Sequence, residues 1–320
     1  MPGRDWQSAA SAALLRERAA LYHDIRTFFN ARDVLEVETP LLCSTGVTDP
    51  SLEPLVVTTG ESVGSPRYLQ TSPEYAMKRL LADGSGPIFQ IARAFRDGEA
   101  GSRHNPEFSL LEWYRPGFDH HQLMAEVAGL VQACLGALPL EKLSYRQLFQ
   151  DTLALDPFTA STEDLQERAR AEIDVGALAG DRDLWLDLLM SHLVEPQLAT
   201  RGLCFVYDYP ASQAALARIV EQDGASVGQR FEVYVNGLEL ANGYHELSDA
   251  LEQRARFAAD NARRREYGLA QRALDERLLS ALDSGLPDCS GVALGLDRLL
   301  MLRAGIDDIR QVLAFDWERC

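Results

Sequence analysis

No apolar run in this chain approaches the about 18 residues that a bilayer-spanning helix needs, which excludes a helical membrane protein. Cysteine is scarce and scattered: Cys43, Cys134, Cys204, Cys289 and Cys320 lie far apart, with no CxxC pair. That spacing argues against a zinc site and fits reduced thiols in a cytoplasmic protein. Residues 1–7 are polar and no long apolar core follows, so no secretory signal is expected. Positive charge is short as well. Against 48 acidic residues stand 31 basic ones, a net charge of -17. A protein that grips nucleic acid through its backbone phosphates is rarely so acidic, so nucleic acid is not the expected partner. A solvated acidic surface accounts for most of the charge. Only Lys78 and Lys142 among the basic residues are lysines, a bias that points to genomic base composition and to no function. Repeats, low-complexity tracts and long linkers are absent too.

What is present suffices for a sizeable core. Hydrophobic residues make up 46% of the 320, enough for one large domain or two small ones. Leu14, Leu15, Arg18, Tyr22, Ile25 and Phe29 recur at helical spacing, so a helix is expected over residues 12–31. Strands are expected over 34–40, 68–71, 88–96, 107–115, 203–209, 231–235, 238–241 and 290–294. Ser72 and Pro73 read as the cap and first residue of a helix to about Leu81. Asp119 and Gln122 read as the capping pair of another helix, to Leu135. Residues 249–267 and 295–302 also read as helices. Residues 140–200 carry short helical patterns and form a candidate insertion. Hairpin-linked strands outnumber βαβ units, so the expected class is α+β: a mostly antiparallel sheet flanked by helices.

Four stretches carry chemistry. The loop Phe95-Arg96-Asp97-Gly98-Glu99-Ala100-Gly101-Ser102-Arg103-His104-Asn105-Pro106-Glu107-Phe108 sets Arg96, Arg103 and His104 around a turn between two strands. Guanidinium forks suit phosphate oxygens, and Phe108 suits a nucleotide base, although arginine loops are also common surface features. Asn236-Gly237 is a strong two-residue hairpin signal, in which Tyr234 faces Glu239 and Glu232 faces Ala241. Glu232 and Glu239 then share a face, roughly 7–8 Å apart at Cβ. Such a pair fits Mg2+ with substrate phosphates, and equally fits two glutamates on a solvated face. On the strand from Glu107, the residues Phe108, Leu110, Glu112 and Tyr114 share parity. Glu112 and Tyr114, with Glu74 and Glu246 near element ends, suit an ammonium group or Mg2+, or are ordinary solvated acids. In Gly291-Val292-Ala293-Leu294-Gly295-Leu296-Asp297-Arg298, glycines at a strand-to-helix turn allow close backbone approach, and Arg298 can lie over a base or reach a phosphate.

Together these elements resemble the three signature motifs of the class II aminoacyl-tRNA synthetases, in their lysyl branch. The first motif is the helix to Asn30 with residues 34–40, usually a dimer-interface element. The second is residues 95–108 with the strand that follows, and the third is residues 291–298. Gly237-Leu238-Glu239-Leu240-Ala241-Asn242-Gly243-Tyr244-His245-Glu246 resembles the lysine-site segment of that branch. The likeness runs from about residue 12 to the end of the chain. It leaves no room for an anticodon-binding barrel, so a single catalytic domain over residues 1–320 is expected. The chain also resembles free-standing catalytic-domain relatives, ligases that attach (R)-β-lysine to elongation factor P. Thr71-Ser72-Pro73-Glu74-Tyr75 and Asp288-Cys289-Ser290-Gly291-Val292-Ala293-Leu294-Gly295 carry that likeness. Where this chain has Ser72 and Ala293, the synthetases usually have Ala and Gly; the added hydroxyl and methyl favour an amine displaced by one carbon.

The resemblance implies ATP and Mg2+ as cofactors, a homodimer, and a role for each motif residue. Arg96 contacts the α-phosphate and the substrate carboxylate, while Arg103 and His104 hold the β- and γ-phosphates, with Asn105 in the same ATP set. Phe108 and Arg298 sandwich adenine. Glu232 and Glu239 bind Mg2+, and Arg96 and Glu239 are the catalytic pair. Ser72, Glu74, Glu112, Tyr114, Asn242, Tyr244, Glu246 and Ala293 line the lysine pocket. One departure is visible: the acid expected two positions after Arg96 is Gly98, with Glu99 next to it, so that either the loop shifts and Glu99 substitutes or adenine recognition is weaker. The implied reaction makes an aminoacyl-adenylate and passes it to a lysine ε-amine of the partner protein. Rival expectations are a truncated synthetase acting on tRNA, a ligase for a small amine, and a non-catalytic regulatory binder.

Overall fold

The computed structural model describes residues 6–58, 66–176 and 178–320. They form two compact units. One takes in the residues up to Gly117 together with Ser248–Cys320, and the other is Phe118–Leu247.

In the first unit, Ser11 caps helix α1 (Ala12–Asn30) by accepting from the Leu14 amide at 3.2 Å. Leu14, Leu21, Ile25, Phe28 and Phe29 are its buried stripe, whereas Leu15 lies exposed. Short strands follow: β1 (Leu35–Glu36), β2 (Leu42–Cys43), β3 (Val56–Val57) and β4 (Arg67–Leu69). The strand expected over 34–40 shrinks to β1, because only Leu35 and Glu36 find partners, Ile88 and Phe89. Helix α2 (Glu74–Ala82) starts one residue later than Ser72-Pro73 suggests. Pro73 stands at its cap, while Ser72 Oγ accepts from the Glu74 amide at 3.0 Å. Strands β5 (Ile88–Phe95) and β6 (Glu107–Pro116) are antiparallel partners, as expected. Phe29 stacks on Phe89 at 4.5 Å and meets Trp113 edge-on at 5.3 Å, which seats α1 on this pair.

The second unit opens with α3 (His120–Leu135), which carries the expected Asp119–Gln122 capping box. Next come β7 (Leu140–Ser144), α4 (Tyr145–Leu153), α5 (Thr162–Glu172) and α6 (Arg182–Leu189), then a π turn and a 3-10 segment to Thr200. Strands β8 (Leu203–Pro210), β9 (Ile219–Gln222), β10 (Ala225–Val235) and β11 (Leu238–His245) complete it. Its sheet runs β7-β8-β10-β11, with β9 alongside the start of β10. Strand β7, unforeseen in the sequence, runs parallel to β8, and the other pairs are antiparallel. Tyr145, Phe149, Trp185, Leu186 and Leu189 pack on Cys204, Val206, Tyr209 and Tyr234, so the helical segment covers one face of β8 and β10.

The first unit resumes with α7 (Ala250–Glu266), α8 (Glu276–Gly285), β12 (Cys289–Gly295), α9 (Leu296–Ala304) and α10 (Ile309–Val312). Strand β12 joins β6 antiparallel, giving β1-β5-β6-β12. Both units thus combine mostly antiparallel strands with outer helices, the α+β class expected. No helix of the described residues is long and apolar enough to cross a membrane.

Gly243 pairs with Phe231 across β10 and β11, and a Cβ placed there would overlap the fully buried Phe231 ring. Gly243→Ala is therefore expected to cost about 1–3 kcal/mol through overpacking. Thermal unfolding followed by circular dichroism should show Tm fall by several degrees; an unchanged Tm would mean that the ring has room to withdraw.

Candidate active site

The loop between β5 and β6 is pinned by backbone bonds. The Arg96 amide donates to Pro106 O at 2.9 Å and the Asp97 amide to Glu53 O at 2.7 Å; Ser102 O accepts from the Ile309 amide at 2.8 Å. Glu53 is itself clamped by Arg272 and by the fully buried Arg264, whose Nη2 donates at 2.5 Å. Asn105, expected in the ATP set, spends its amide on the backbone. Its Nδ2 donates to Glu107 O at 2.7 Å and its Oδ1 accepts from the Trp317 amide at 3.0 Å. It holds the loop's shape instead of facing outward.

This frame gathers the other expected members. The Arg96 guanidinium lies 5.0 Å from the Phe108 ring centroid and 3.8 Å from Glu99 Oε1, and its buried Nε has no partner among the described residues. Gly98 sits at φ 77°, a left-handed conformation that disfavours the acid expected there, while Glu99 brings a carboxylate to Arg96 from the next position. Arg298 Nη2 donates to His104 Nε2 at 2.6 Å, and Arg298 Nε to Arg103 O at 3.3 Å. Burial first, and then the Arg298 charge, push His104 below the ordinary histidine range. The ring is thus neutral and accepts at Nε2. Arg103 and His104 stand exposed.

A second group surrounds Glu112, which is 1% exposed. Ser72 Oγ donates to its Oε1 at 2.5 Å, and Tyr114 Oη reaches its Oε2 at 3.4 Å. Ala293 is its direct cross-strand partner on β12, so the methyl lies beside the carboxyl. Burial, and next the negative Glu74, push Glu112 up to about 8. Glu74 already pairs with the buried Lys78 at 2.6 Å. Arg96 acts electrostatically on both Glu112 and His104, which ties the two groups together.

In the second unit, Asn236 and Gly237 make the expected two-residue turn, at φ 50° and 78°. Val235 pairs with Leu238 and Tyr234 with Glu239, but a bulge then inserts Leu240. Val233 therefore pairs with Ala241, and Glu232 with Asn242 instead of the expected Ala241. The extra residue reverses parity along β11. Glu239, Asn242 and Tyr244 consequently share one face with Arg230, Glu232 and Tyr234; regular alternation would have put Glu239 and Asn242 on opposite faces.

Glu232 is not a bare carboxylate. Its Oε1 pairs with Arg230, and its Oε2 accepts from Tyr209 Oη at 2.7 Å and Tyr234 Oη at 2.5 Å. Arg230 Nε donates to Asn242 Oδ1 at 3.2 Å, and Asn242 Nδ2 to Tyr244 Oη at 3.0 Å. Burial opposes the Arg230 charge, yet Glu232 and the surrounding tyrosines hold the guanidinium above its usual range. Glu246 is buried at the end of β11, its backbone bridged to Ala217. Sequence reasoning missed Arg230, Tyr209 and Tyr234. The alternation Arg230-x-Glu232-x-Tyr234 was a visible signal for two of them; Tyr209 comes from another strand and left none. Among the described residues no group of three or more His, Cys, Asp or Glu is poised to hold a metal ion.

The sequence matches the family described as tRNA synthetases class II (D, K and N) over residues 4–319. The protein called elongation factor P--(R)-beta-lysine ligase in Pseudoalteromonas translucida is 50% identical over 319 residues, covering 98% of each chain. Proteins of the same name in Salmonella paratyphi B and Salmonella dublin are 51% identical over 320 residues, again with 98% of each chain covered. On its fold, its motifs and this likeness, the chain is an ATP-dependent ligase that belongs to the class II tRNA synthetases.

Proposed function

We propose that the chain activates (R)-β-lysine as an aminoacyl-adenylate and transfers it to a lysine ε-amine of elongation factor P, in the cytoplasm. The observation that carries this reading is Glu112: a buried carboxyl short of a cation, with Ser72 and Ala293 packed beside it. Such a site wants an ammonium group, and its added hydroxyl and methyl reshape the space where that group sits. The names of the relatives support the same substrate and the same partner.

In the first step a carboxylate oxygen of β-lysine attacks the α-phosphorus of ATP, and pyrophosphate leaves. Arg96 receives the α-phosphate and the carboxylate, with its unpartnered Nε available to them. Arg103 and His104 take the outer phosphates. Arg298 keeps its edge on His104 and offers its flat face, opposite Phe108, to adenine. Glu99 stands in for the acid missing at Gly98, and Asn105 contributes by holding the loop. Mg2+ supplies charge neutralisation on the phosphates when bound. Glu239 is its main protein ligand. Glu232 has one lone-pair direction left on Oε1, since Arg230, Tyr209 and Tyr234 occupy the others. Glu74, Tyr114, Asn242, Tyr244 and Glu246 complete the lysine pocket. In the second step the acceptor amine attacks the adenylate carbonyl and AMP leaves. Catalysis is positioning and electrostatics throughout, with no covalent nucleophile on the enzyme. Exposed Leu35, Leu42 and Val56 suit burial against a second copy of the chain, which supports a homodimer. The net charge of -17 weighs against tRNA as acceptor.

Pyrophosphate exchange tests the first step. Exchange should run faster with β-lysine than with α-lysine, and the product should add one β-lysyl mass to elongation factor P. Ala293→Gly should move the kcat/KM ratio toward α-lysine; an unchanged ratio, or no exchange with either acid, would sink the substrate assignment. Glu239→Gln should lower exchange by at least 100-fold and raise the Mg2+ concentration needed for half activity. Near-normal Mg2+ dependence in that variant would remove Glu239 from the metal.

Glu112 adds a pH signature. With its carboxyl at about 8 it is mostly protonated at pH 7, and an incoming ammonium group favours the ionised form. Substrate binding near pH 7 should therefore release close to one proton, and affinity should rise as pH climbs toward 8. Calorimetry in buffers of different ionisation enthalpy reads this directly. Glu112→Gln should abolish the release, and equal release in the variant would place its source elsewhere.

A further inference from the structure

A cavity in the second unit borders the Glu232 cluster and shares Glu232 and Arg230 with it. It lies among α4, α6, β8 and β10 and has a volume of about 410 Å³, within the range of small-molecule pockets. Leu184, Leu188 and Met190 give it an apolar wall, while Asp187, Glu195 and Glu232 bring carboxylates to its lining. Arg230 also lines it, but that guanidinium is committed to Glu232, Gln213 O and Asn242. Asp187 accepts from Gln213 Nε2 at 2.8 Å and has no ion-pair partner among the described residues. Burial, and then neighbouring Asp183, push it up to about 6 against the opposing Arg230 charge.

An independent observation comes from Tyr145. It is 1% exposed, it lines the cavity, and its hydroxyl finds no hydrogen-bond partner among the described residues. A buried hydroxyl left unmet costs about 1–3 kcal/mol, so such groups normally have a partner, here one from outside the chain. Burial and the nearby acids keep this phenol neutral, able to accept as well as donate.

We infer that this cavity is a binding site for an aliphatic primary amine: its ammonium group sits on Asp187 and Glu195, Tyr145 Oη accepts one of its N–H bonds, and its alkyl body lies on Leu184, Leu188 and Met190. The chemistry separates it from the pocket around Glu112. That pocket serves an amino acid and an arginine that takes the carboxylate, whereas every fixed cation at the cavity is already paired. An amine without a carboxylate is what the lining leaves room for.

n-Pentylamine is the probe, titrated calorimetrically into the full chain. One saturable site is expected, retained in Glu112→Gln, lost in Asp187→Asn, and weakened several-fold in Tyr145→Phe. The last variant removes a hydroxyl that bonds to nothing in the free protein, so its Tm should hold or rise while affinity falls, and it decides the matter alone if Asp187→Asn fails to fold. n-Pentanol should not bind. The inference falls if n-pentylamine does not saturate, if Tyr145→Phe and Asp187→Asn both bind as tightly as the parent, if binding disappears only in Glu112→Gln, or if n-pentanol binds equally well.

Discussion

The motif frame of the first unit hangs on one buried carboxylate. Asp297 is 2% exposed; it accepts from the Ser109 amide at 2.7 Å and pairs with Arg18 Nη1 at 2.7 Å. Ser109 follows Phe108, and Asp297 precedes Arg298. A single hydrogen bond between neighbours therefore sets the spacing of the two side chains proposed to enclose a base. Arg18 adds α1 to the joint and also donates to Val312 O at 3.0 Å. Losing one member of so buried a pair leaves an uncompensated charge, a loss of about 3–5 kcal/mol. The first motif's helix is thus tied electrostatically to the other two motifs, and the tie precedes any ligand.

Two glutamates, Glu112 buried and Glu232 half-buried, show how surroundings divide labour between identical side chains. Glu232 has Arg230 and two tyrosine hydroxyls on it, which fix its direction. Glu112 has a serine hydroxyl, a distant tyrosine and a negative neighbour, so burial dominates and its proton stays on. The first is a fixed partner that orients Arg230 and, through it, Asn242. The second is an acid that becomes an anion when a cation arrives. A pocket built on the second kind selects for charge as well as shape, because ionising Glu112 without a cation costs desolvation with no return.

What was legible in the sequence was local. The capping box at Asp119, the Asn236-Gly237 turn and the strand pair around the arginine loop each depend on a few adjacent residues, and each stands where expected. The bulge at Leu240 was not legible, because regular and bulged pairings of β11 have the same residue types; which one forms depends on packing across the sheet. It changed the partner of Glu232 and still left Glu232 and Glu239 on one face, since the inserted residue comes after Glu239. Strand β7 was missed for a similar reason: Leu140-Glu141-Lys142-Leu143-Ser144 is short and half polar, and its partner β8 lies some sixty residues on. Asn105 belongs to the motif string, but only coordinates reveal that both ends of its amide go to the backbone.

The residues between 140 and 200 carry no motif, yet they reach the chemistry through stacked rings. Phe149 stacks on Tyr145 at 4.5 Å, Tyr145 lies against Tyr209 at 4.8 Å, and Tyr209 donates to Glu232. The helical segment therefore buries the hydroxyls that hold Glu232 in place and supplies the apolar surround that makes those bonds strong. With bulk water in its place, Glu232 would lose its fixed direction, and Arg230 would no longer be steered onto Asn242. A segment with no signature of its own thus sets the orientation of a carboxylate that has one, which is why the motifs alone underdetermine the site.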